Sequence, residues 1–195
     1  ARSPGRILLL KKTGGLSVKH EKLFCHFCGA PLGRRESDGH TRLYCETEQR
    51  FIYENPIPAA TGIVLDERGR LLLVRRNIQP GKHLWALPGG FIEMHEKPSD
   101  AAAREIREEC GIEARDPSLV DIIYQESRFY GTSLLIIGYS FAGFEGTPRA
   151  GDDAEKVRFY GFDKLPKLAF EAHGRLIRKY LERREELRRL WSEEV

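Results

Sequence analysis

The chain has 195 residues, of which 41 % are hydrophobic and 31 % are charged, and its formal net charge is +3. This length fits one ordinary domain with a small addition, and the hydrophobic share is sufficient for a packed core. The near-neutral charge argues against nucleic-acid binding as the main function, and no apolar run is long enough to cross a membrane.

The first quarter of the chain contains three of its four cysteines. Cys25 and Cys28 form a C-x-x-C pair, and Cys45 follows a polar loop. The apolar patch near the N-terminus is too short for a secretory signal, so we expect a cytoplasmic protein in which this spacing indicates metal binding rather than disulfides. Two hairpins around a shared metal would explain the Cys, Gly and turn residues between Phe24 and Tyr53.

After Asn55 the sequence changes to alternating strand and helix patterns. Strands are predicted within residues 59–76, on both sides of a turn at Asp66–Gly69, and then at 84–87, 120–125, 134–141 and 157–161. Strands, a helix, further strands and a last helix follow one another in this order. The order predicts an α/β (α+β) protein with mixed layers rather than a helical bundle or an all-β sandwich.

Two helices are predicted among these strands. The first runs from Pro98 to Cys110, because proline suits a first helical position and Gly111 can end the helix as a left-handed cap. The second begins at Ala169 and has a face of mixed Glu and Arg. Its apolar stripe consists of Phe170, Ile177, Tyr180, Leu181, Leu187 and Trp191.

The first helix concentrates negative charge on one side. Glu105, Glu108 and Glu109 are spaced three and four residues apart, which places them on one helical face. Their mutual repulsion would be relieved by a divalent cation, and oxygen ligands favour Mg²⁺ or Mn²⁺. The alternative for such a cluster is an acidic surface exposed to water.

The surrounding residues favour the metal site. Gly90, Glu96, Arg104-Glu105, Glu108-Glu109 and Gly111 match the Nudix box at each position, a match expected by chance on the order of 10⁻⁹ per starting point. The chain therefore resembles the Nudix hydrolase superfamily from about Ala59 to its end. This resemblance implies a Nudix α/β/α sandwich with a mixed sheet at 55–195. It would follow a tail at 1–23 and a zinc-ribbon-like β module at 24–54.

The resemblance also implies roles for particular residues. Glu105, Glu108 and Glu109 would bind Mg²⁺ or Mn²⁺, the Gly89 carbonyl and Glu96 would complete the site, and Arg104 would hold a box glutamate in place. A further acid is expected from the loop before a late strand. Its candidates are Asp152, Asp153 and Glu155, of which Asp153 fits best by spacing; a simple polar turn is the alternative.

The cysteine module resembles three quarters of a zinc ribbon. Cys25, Cys28 and Cys45 would be ligands to Zn²⁺, and the expected fourth position holds Glu48. Substitution by His20, His26 or His40, or a ribbon that keeps its shape without metal, are the alternatives. Cys110 is expected to be an inert buried thiol.

A ribbon before a Nudix domain resembles the NADH pyrophosphatase branch and the related FAD and ADP-ribose pyrophosphatases. The stretch from Gln125 to Ser133 departs from the signature of the NADH enzymes, which makes FAD or ADP-ribose the better expected substrate. Candidates for substrate contacts are Arg75, Trp85, Arg128, Phe129 and Tyr130, with Arg76 and Lys82 as further cations. For the aromatic residues a place in the core is the alternative.

The expected function is therefore Mg²⁺- or Mn²⁺-dependent hydrolysis of a nucleoside diphosphate linked to another group, giving two monophosphates. The expected partner is a small nucleotide, without a membrane or a nucleic acid, and a homodimer is left open. Two alternatives are a nucleotide-sensing or nucleic-acid-binding protein that uses the ribbon, and a Nudix enzyme acting on triphosphates or mRNA caps. Retention of all box glutamates favours an enzyme over a sensor.

Overall fold

The structure is a computed structural model that describes residues 22–193, with side chains up to residue 189. It divides into two compact units, the first of which contains residues up to Asn55 and the turn Arg128–Thr132. The second contains Pro56–Ser127 and the chain from Ser133 onward. Most of the expected N-terminal tail, and His20 with it, lies outside the described residues. No helix in the described range is long and apolar enough to span a membrane.

The first unit is built on a small antiparallel sheet. Its strands are β1 (Gly33–Ser37), β2 (His40–Cys45) and β3 (Arg50–Ile52), in that spatial order. Asp38 and Gly39 both have positive φ angles, 51° and 74°, which suits the two-residue turn between β1 and β2. Two cysteines and two aliphatic side chains form the core of the unit: Cys25, Leu43, Cys45 and Ile52.

The second unit contains seven strands and two helices within the described residues. The strands are β4 (Ile57–Ile63), β5 (Leu71–Arg76), β6 (Trp85–Ala86), β7 (Gly89–Phe91), β8 (Glu113–Ser127), β9 (Thr132–Glu145) and β10 (Ala154–Tyr160). The helices are α1 (Pro98–Cys110) and α2 (Glu171–Glu193), and Phe162–Lys164 form a short 3₁₀ turn. One sheet has the order β7-β4-β9-β8 and the other β10-β5-β6. Because β4 is parallel to β9 and antiparallel to β7, the predicted mixed sheet is confirmed.

Strands β4 and β5 follow one another in the chain but belong to different sheets. The predicted turn between them is present, with the Gly69 N–H donating to the Asp66 carbonyl at 2.8 Å. Beyond a bridge at Leu65 and Leu71, however, each strand pairs elsewhere. Leu72 and Val74 of β5 belong to one buried cluster, and Leu71 and Leu73 belong to the other. Because both faces of the strand are covered, its apolar residues form a continuous buried run rather than an alternating pattern.

Strand β7 was not predicted, because glycine has a low strand propensity and the Pro88-Gly89-Gly90 run indicated only a stop. The strand forms by long-range pairing, with Thr61 opposite Gly89 and Ala60 opposite Gly90. Two predicted strands are also longer than expected, since β8 extends over residues 113–127 and β9 over residues 132–145.

Helix α1 has the predicted bounds. Lys97 precedes it in an extended conformation, and Gly111, at φ 66°, closes it by donating its N–H to the Arg107 carbonyl at 2.9 Å. The buried face consists of Ala101, Ala102, Ile106, Glu109 and Cys110. The helix packs against β4, β7 and β8, so its one buried carboxylate points into the protein beside β7.

Helix α2 begins at Glu171, two residues later than expected, and packs against β8. Its buried residues are Ala172, His173, Leu176 and Ile177. The predicted apolar stripe is wrong at Leu187, whose side chain is exposed, because the outer part of a long helix extends past the core it covers. The side chain of Trp191 lies outside the described residues.

Candidate active site

Arg104 is the central cation of the acidic helix face. Its guanidinium donates to Glu96 Oε1 at 2.8 Å, Glu105 Oε1 at 2.8 Å and Glu108 Oε2 at 2.9 Å. The same group donates to the Phe91 carbonyl at the end of β7, at 3.1 Å. The hydrogen bonds from Arg104 lower the pKa of the Glu96 carboxyl. The planar guanidinium therefore holds three carboxylates from the loop and the helix in one arrangement.

Glu109 has a different environment from the other acids. It is 4 % exposed, and its Oε2 accepts a hydrogen bond from the Gly89 N–H at 3.0 Å. Burial raises the pKa of this carboxyl to about 8, and the hydrogen bond from Gly89 and the positive charge of Arg76 oppose that rise. A buried acid with so little compensation is the kind of group that a bound cation would keep ionised.

Two successive glycines, Gly89 and Gly90, allow β7 to lie close to β4 and to α1. A Cβ atom on Gly90 would lie 2.4 Å from Glu105 Oε1. A Cβ on Gly89, which has φ 156°, would lie 2.4 Å from the Ala60 carbonyl oxygen. The absence of a side chain at Gly90, a glycine of the Nudix box, therefore leaves room for the Glu105 carboxylate, and its absence at Gly89 lets β7 lie against the backbone of β4.

The loop before β10 brings further acids to the helix. The Gly151 N–H donates to the Glu109 carbonyl at 3.1 Å, which fixes the loop on the last turn of α1. Burial is the main cause of the raised pKa of Glu105, and the charge of Asp152 adds to it. Asp153 adds in the same way to the raised pKa of Glu109. Both loop acids are therefore within electrostatic reach of the box.

Glu155, the second residue of β10, is held by two partners. His83 Nδ1 lies 2.9 Å from its Oε2, and Arg75 Nη1 lies 3.1 Å from its Oε1. The hydrogen bond with His83 is the main reason that the pKa of Glu155 is lowered. His83 was missed in the sequence, where a lone histidine in a loop gives no signal of its partner.

The expected substrate residues lie in different places. Trp85 is half-buried against the core of the second unit and meets Tyr160 edge-on, with ring centroids 5.0 Å apart. Arg128, Phe129 and Tyr130 belong to the turn that groups with the first unit. Phe129 and Tyr130 are both exposed, which does not fit a core position.

The donors on α1 suit a divalent cation. Glu105, Glu108 and Glu109 offer only oxygen, the donor that Mg²⁺ and Mn²⁺ prefer. The buried carboxylate of Glu109, which the Gly89 N–H holds beside β7, would add negative charge once a cation keeps it ionised. The residues present therefore fit such an ion.

The cysteines of the first unit form a second candidate metal site. The sulfur atoms of Cys25, Cys28 and Cys45 lie within 4.8 Å of one another, and Cys28 and Cys45 are 3.5 Å apart. The Glu48 backbone N–H donates to the Cys45 sulfur at 3.4 Å. Within residues 22–193 this cluster does not include the Glu48 carboxylate or a histidine, so the fourth ligand stays a prediction. Clustered thiolate donors suit Zn²⁺.

Comparison with known proteins agrees with the geometry on α1. The family model of the NUDIX domain matches residues 55–180. The chain belongs to the Nudix family. It is accordingly a hydrolase of phosphoric anhydrides, and Nudix enzymes generally use divalent metals.

This Nudix protein is similar to an ADP-ribose pyrophosphatase of Methanocaldococcus jannaschii, with 35 % identity over 130 residues. The match covers 67 % of this chain and 76 % of the relative. The NAD-capped RNA hydrolase NudC of Stutzerimonas stutzeri is 32 % identical over 163 residues, 83 % of this chain and 56 % of the relative. The chain thus spans about half the length of NudC. A solved MutT Nudix hydrolase from Burkholderia pseudomallei has a TM-score of 0.60 at 26 % identity, covering 65 % of this chain and 98 % of its own.

Proposed function

We propose that this Nudix protein hydrolyses a nucleoside diphosphate linked to a second group, with ADP-ribose or FAD preferred over NADH. The observation that carries the proposal is the acidic cluster formed by α1 and the loop before it, in which Arg104 binds three carboxylates and the Gly89 N–H binds a fourth. The preference for ADP-ribose is supported by the relative from Methanocaldococcus jannaschii. FAD rests on the sequence resemblance alone.

The chemistry follows from the charge of the substrate. Bound Mg²⁺ or Mn²⁺ would offset the negative charge of the pyrophosphate and lower the pKa of a coordinated water. Glu105, Glu108 and Glu109 would hold the ions, with the Gly89 carbonyl and Glu96 completing the site. Attack of water oxygen on one phosphorus would break the bridging P–O bond and give two monophosphates.

A carboxylate of the chain must take the proton of the attacking water. We assign this role to Asp153, because its charge acts on Glu109, whereas the carboxylate of Glu155 is bound by Arg75 and His83. Glu155 would then orient Arg75 and His83, two cations suited to contacting substrate phosphates when the imidazole is protonated.

A substrate panel tests the proposal. The purified protein is assayed with ADP-ribose, FAD, NADH, NAD-capped RNA and nucleoside triphosphates, each with Mg²⁺ and with Mn²⁺. We expect kcat/KM to be highest for ADP-ribose or FAD. A higher value for NADH, the capped RNA or a triphosphate would refute the substrate preference without affecting the reaction class.

Isotope labelling tests the reaction class separately. Hydrolysis in H₂¹⁸O should place the label on a phosphate monoester, because water attacks phosphorus. Label on a sugar carbon would indicate cleavage of a glycosidic bond and would refute pyrophosphate hydrolysis.

We further propose that residues 24–54 form a zinc ribbon with Cys25, Cys28 and Cys45 as ligands and Glu48 as the fourth. Metal analysis of protein purified without chelators should then give about one zinc per chain. Cys28→Ser should lose the metal, and Glu48→Gln should weaken its retention against a chelator. Zinc-free protein with an ordered ribbon by NMR would contradict the proposal.

A further inference from the structure

His173 is a buried histidine outside the acidic face of α1. It lies in the first turns of α2, is 7 % exposed, and its Nδ1 accepts a hydrogen bond from the Leu87 N–H at 3.0 Å. Burial and the charge of Arg76 lower the pKa of His173 to about 3. The ring is therefore neutral at ordinary pH, with its lone pair on Nδ1 and its proton on Nε2.

The hydrogen bond from Leu87 is one of three consecutive anchors on the segment that leads into β7. The Pro88 carbonyl accepts from the Thr61 hydroxyl at 2.7 Å and from the Gly62 N–H at 2.9 Å. The Gly89 N–H, next along the chain, donates to Glu109 Oε2. Helix α2, strand β4 and helix α1 thus each hold one residue of a three-residue segment.

Residues 87–89 have little room to absorb a backbone rotation locally if one of their hydrogen bonds is lost. A Cβ on Gly89 would lie 2.7 Å from Thr61 Cα, so the Gly89 backbone already lies tightly against β4. The Leu87 N–H is buried, and without an acceptor it must either stay unsatisfied or turn toward another partner. Any such rotation is transmitted through Pro88 to the peptide that contacts Glu109.

We propose that His173 is a positioning residue for the divalent-metal site: by accepting from the Leu87 N–H, it orients Gly89, whose N–H holds Glu109 and whose carbonyl is the expected further ligand. The inference rests on the proposed function, because it takes Glu109 and Gly89 as metal ligands. Replacing a residue that orients a metal ligand often lowers metal affinity tenfold or more, so the effect of replacing His173 should be measurable.

Two substitutions separate the hydrogen bond from the packing of the ring. His173→Phe keeps a ring of similar size beside Phe170, whose centroid lies 5.0 Å from that of the imidazole, but removes the acceptor. His173→Asn loses the ring but retains an acceptor oxygen at a position close to Nδ1. Ile177→Ala, one turn later in α2 and equally buried, is the control for general loss of stability.

The first measurement is Mn²⁺ binding to the substrate-free protein, by electron paramagnetic resonance well below each variant's melting temperature. We expect His173→Phe to raise the Kd about tenfold. His173→Asn should stay within about threefold and Ile177→Ala within about twofold of the unmodified protein. Unchanged binding by His173→Phe, or equal weakening by His173→Asn, would overturn the proposal.

A second measurement needs neither metal nor variant. The ¹⁵N shifts of the His173 ring should show an unprotonated Nδ1, and the Leu87 amide should be protected from hydrogen exchange. A proton on Nδ1, or rapid exchange at Leu87, would overturn the positioning role even if the variants failed to fold.

The metal site and the positioning role of His173 can be refuted separately. If Glu109→Gln leaves Mn²⁺ binding unchanged, the metal site itself is refuted, and the role of His173 with it. If Glu109→Gln weakens binding but His173→Phe does not, only the role of His173 is refuted and the proposed function stands.

Discussion

Replacing Glu109 by Gln should stabilise the metal-free protein while abolishing its metal-dependent activity. Burial raises the pKa of this carboxyl from 4.5 to about 8. Between these pH values the unfolded chain has released a proton that the folded protein retains. The free energy of unfolding therefore falls as pH rises through this window, because the unfolded state binds fewer protons.

The size of the effect follows from the two pKa values. At pH 7, about 2.5 pH units above the pKa of the unfolded chain, the retained proton corresponds to about 3 kcal/mol of lost stability, and at pH 5 to less than about 1 kcal/mol. A Gln side chain has nearly the same shape and does not ionise. Its amide oxygen can still accept a hydrogen bond from the Gly89 N–H. The substitution should therefore remove the loss of stability that the unmodified protein shows at pH 7.

Urea unfolding in the presence of a chelator measures this difference. Glu109→Gln should exceed the unmodified protein by about 3 kcal/mol at pH 7 and match it closely at pH 5. Glu108→Gln, at an exposed neighbouring position, is the control for stability and should differ little at either pH. Excess Mg²⁺ should narrow the gap at pH 7, because only the ionised carboxylate gains from the cation.

Activity provides the second half of this test. With saturating Mg²⁺, Glu109→Gln should retain less than about a tenth of the activity, since a lost metal ligand should cost at least ~1.4 kcal/mol of transition-state stabilisation. A stability difference that does not change with pH, or activity above that level, would refute the reasoning.

Three further substitutions test other parts of the site. Arg104→Lys should reduce activity at least about tenfold and raise the Mg²⁺ concentration needed, because an ammonium cannot bond three carboxylates in the fixed pattern of a guanidinium; an unchanged metal titration would contradict this. Gly90→Ala should weaken metal binding, because its Cβ would displace the Glu105 carboxylate, whereas Gly143→Ala, where a Cβ meets open space, should bind as the unmodified protein does in calorimetric titration. Tyr130→Ala tests the sequence-based prediction of a substrate contact at this exposed residue: that prediction requires a raised KM with little change in melting temperature, and the reverse result would indicate a packing role.

The local sequence was sufficient to predict α1. Pro98 and Gly111 act within one turn of the helix ends, and the spacing of side chains between them depends only on helical geometry. The same spacing placed Glu105, Glu108 and Glu109 on neighbouring positions of one helix. Family membership could also be predicted, because the box is a local motif.

The sequence did not reveal which carboxylates are buried or which partners they bind. The burial of Glu109 and the exposure of Glu108 depend on which side of α1 meets the sheet. The pairing of Glu155 with His83 joins residues 72 positions apart in the chain. No periodicity or propensity encodes such a distance, so the pairing between Glu155 and His83 could not be predicted from the sequence.

The sequence by itself determined the bounds of α1, the strand candidates, the Nudix box and the cysteine spacing, because each is set by residues close to one another in the chain. Only the tertiary structure decided that β4 and β5 enter different sheets and that two glycines form β7. It alone placed His173 behind the Gly89 peptide. These features depend on pairing between distant segments, where the free energy comes from burial and from satisfying backbone hydrogen bonds rather than from local conformational preference.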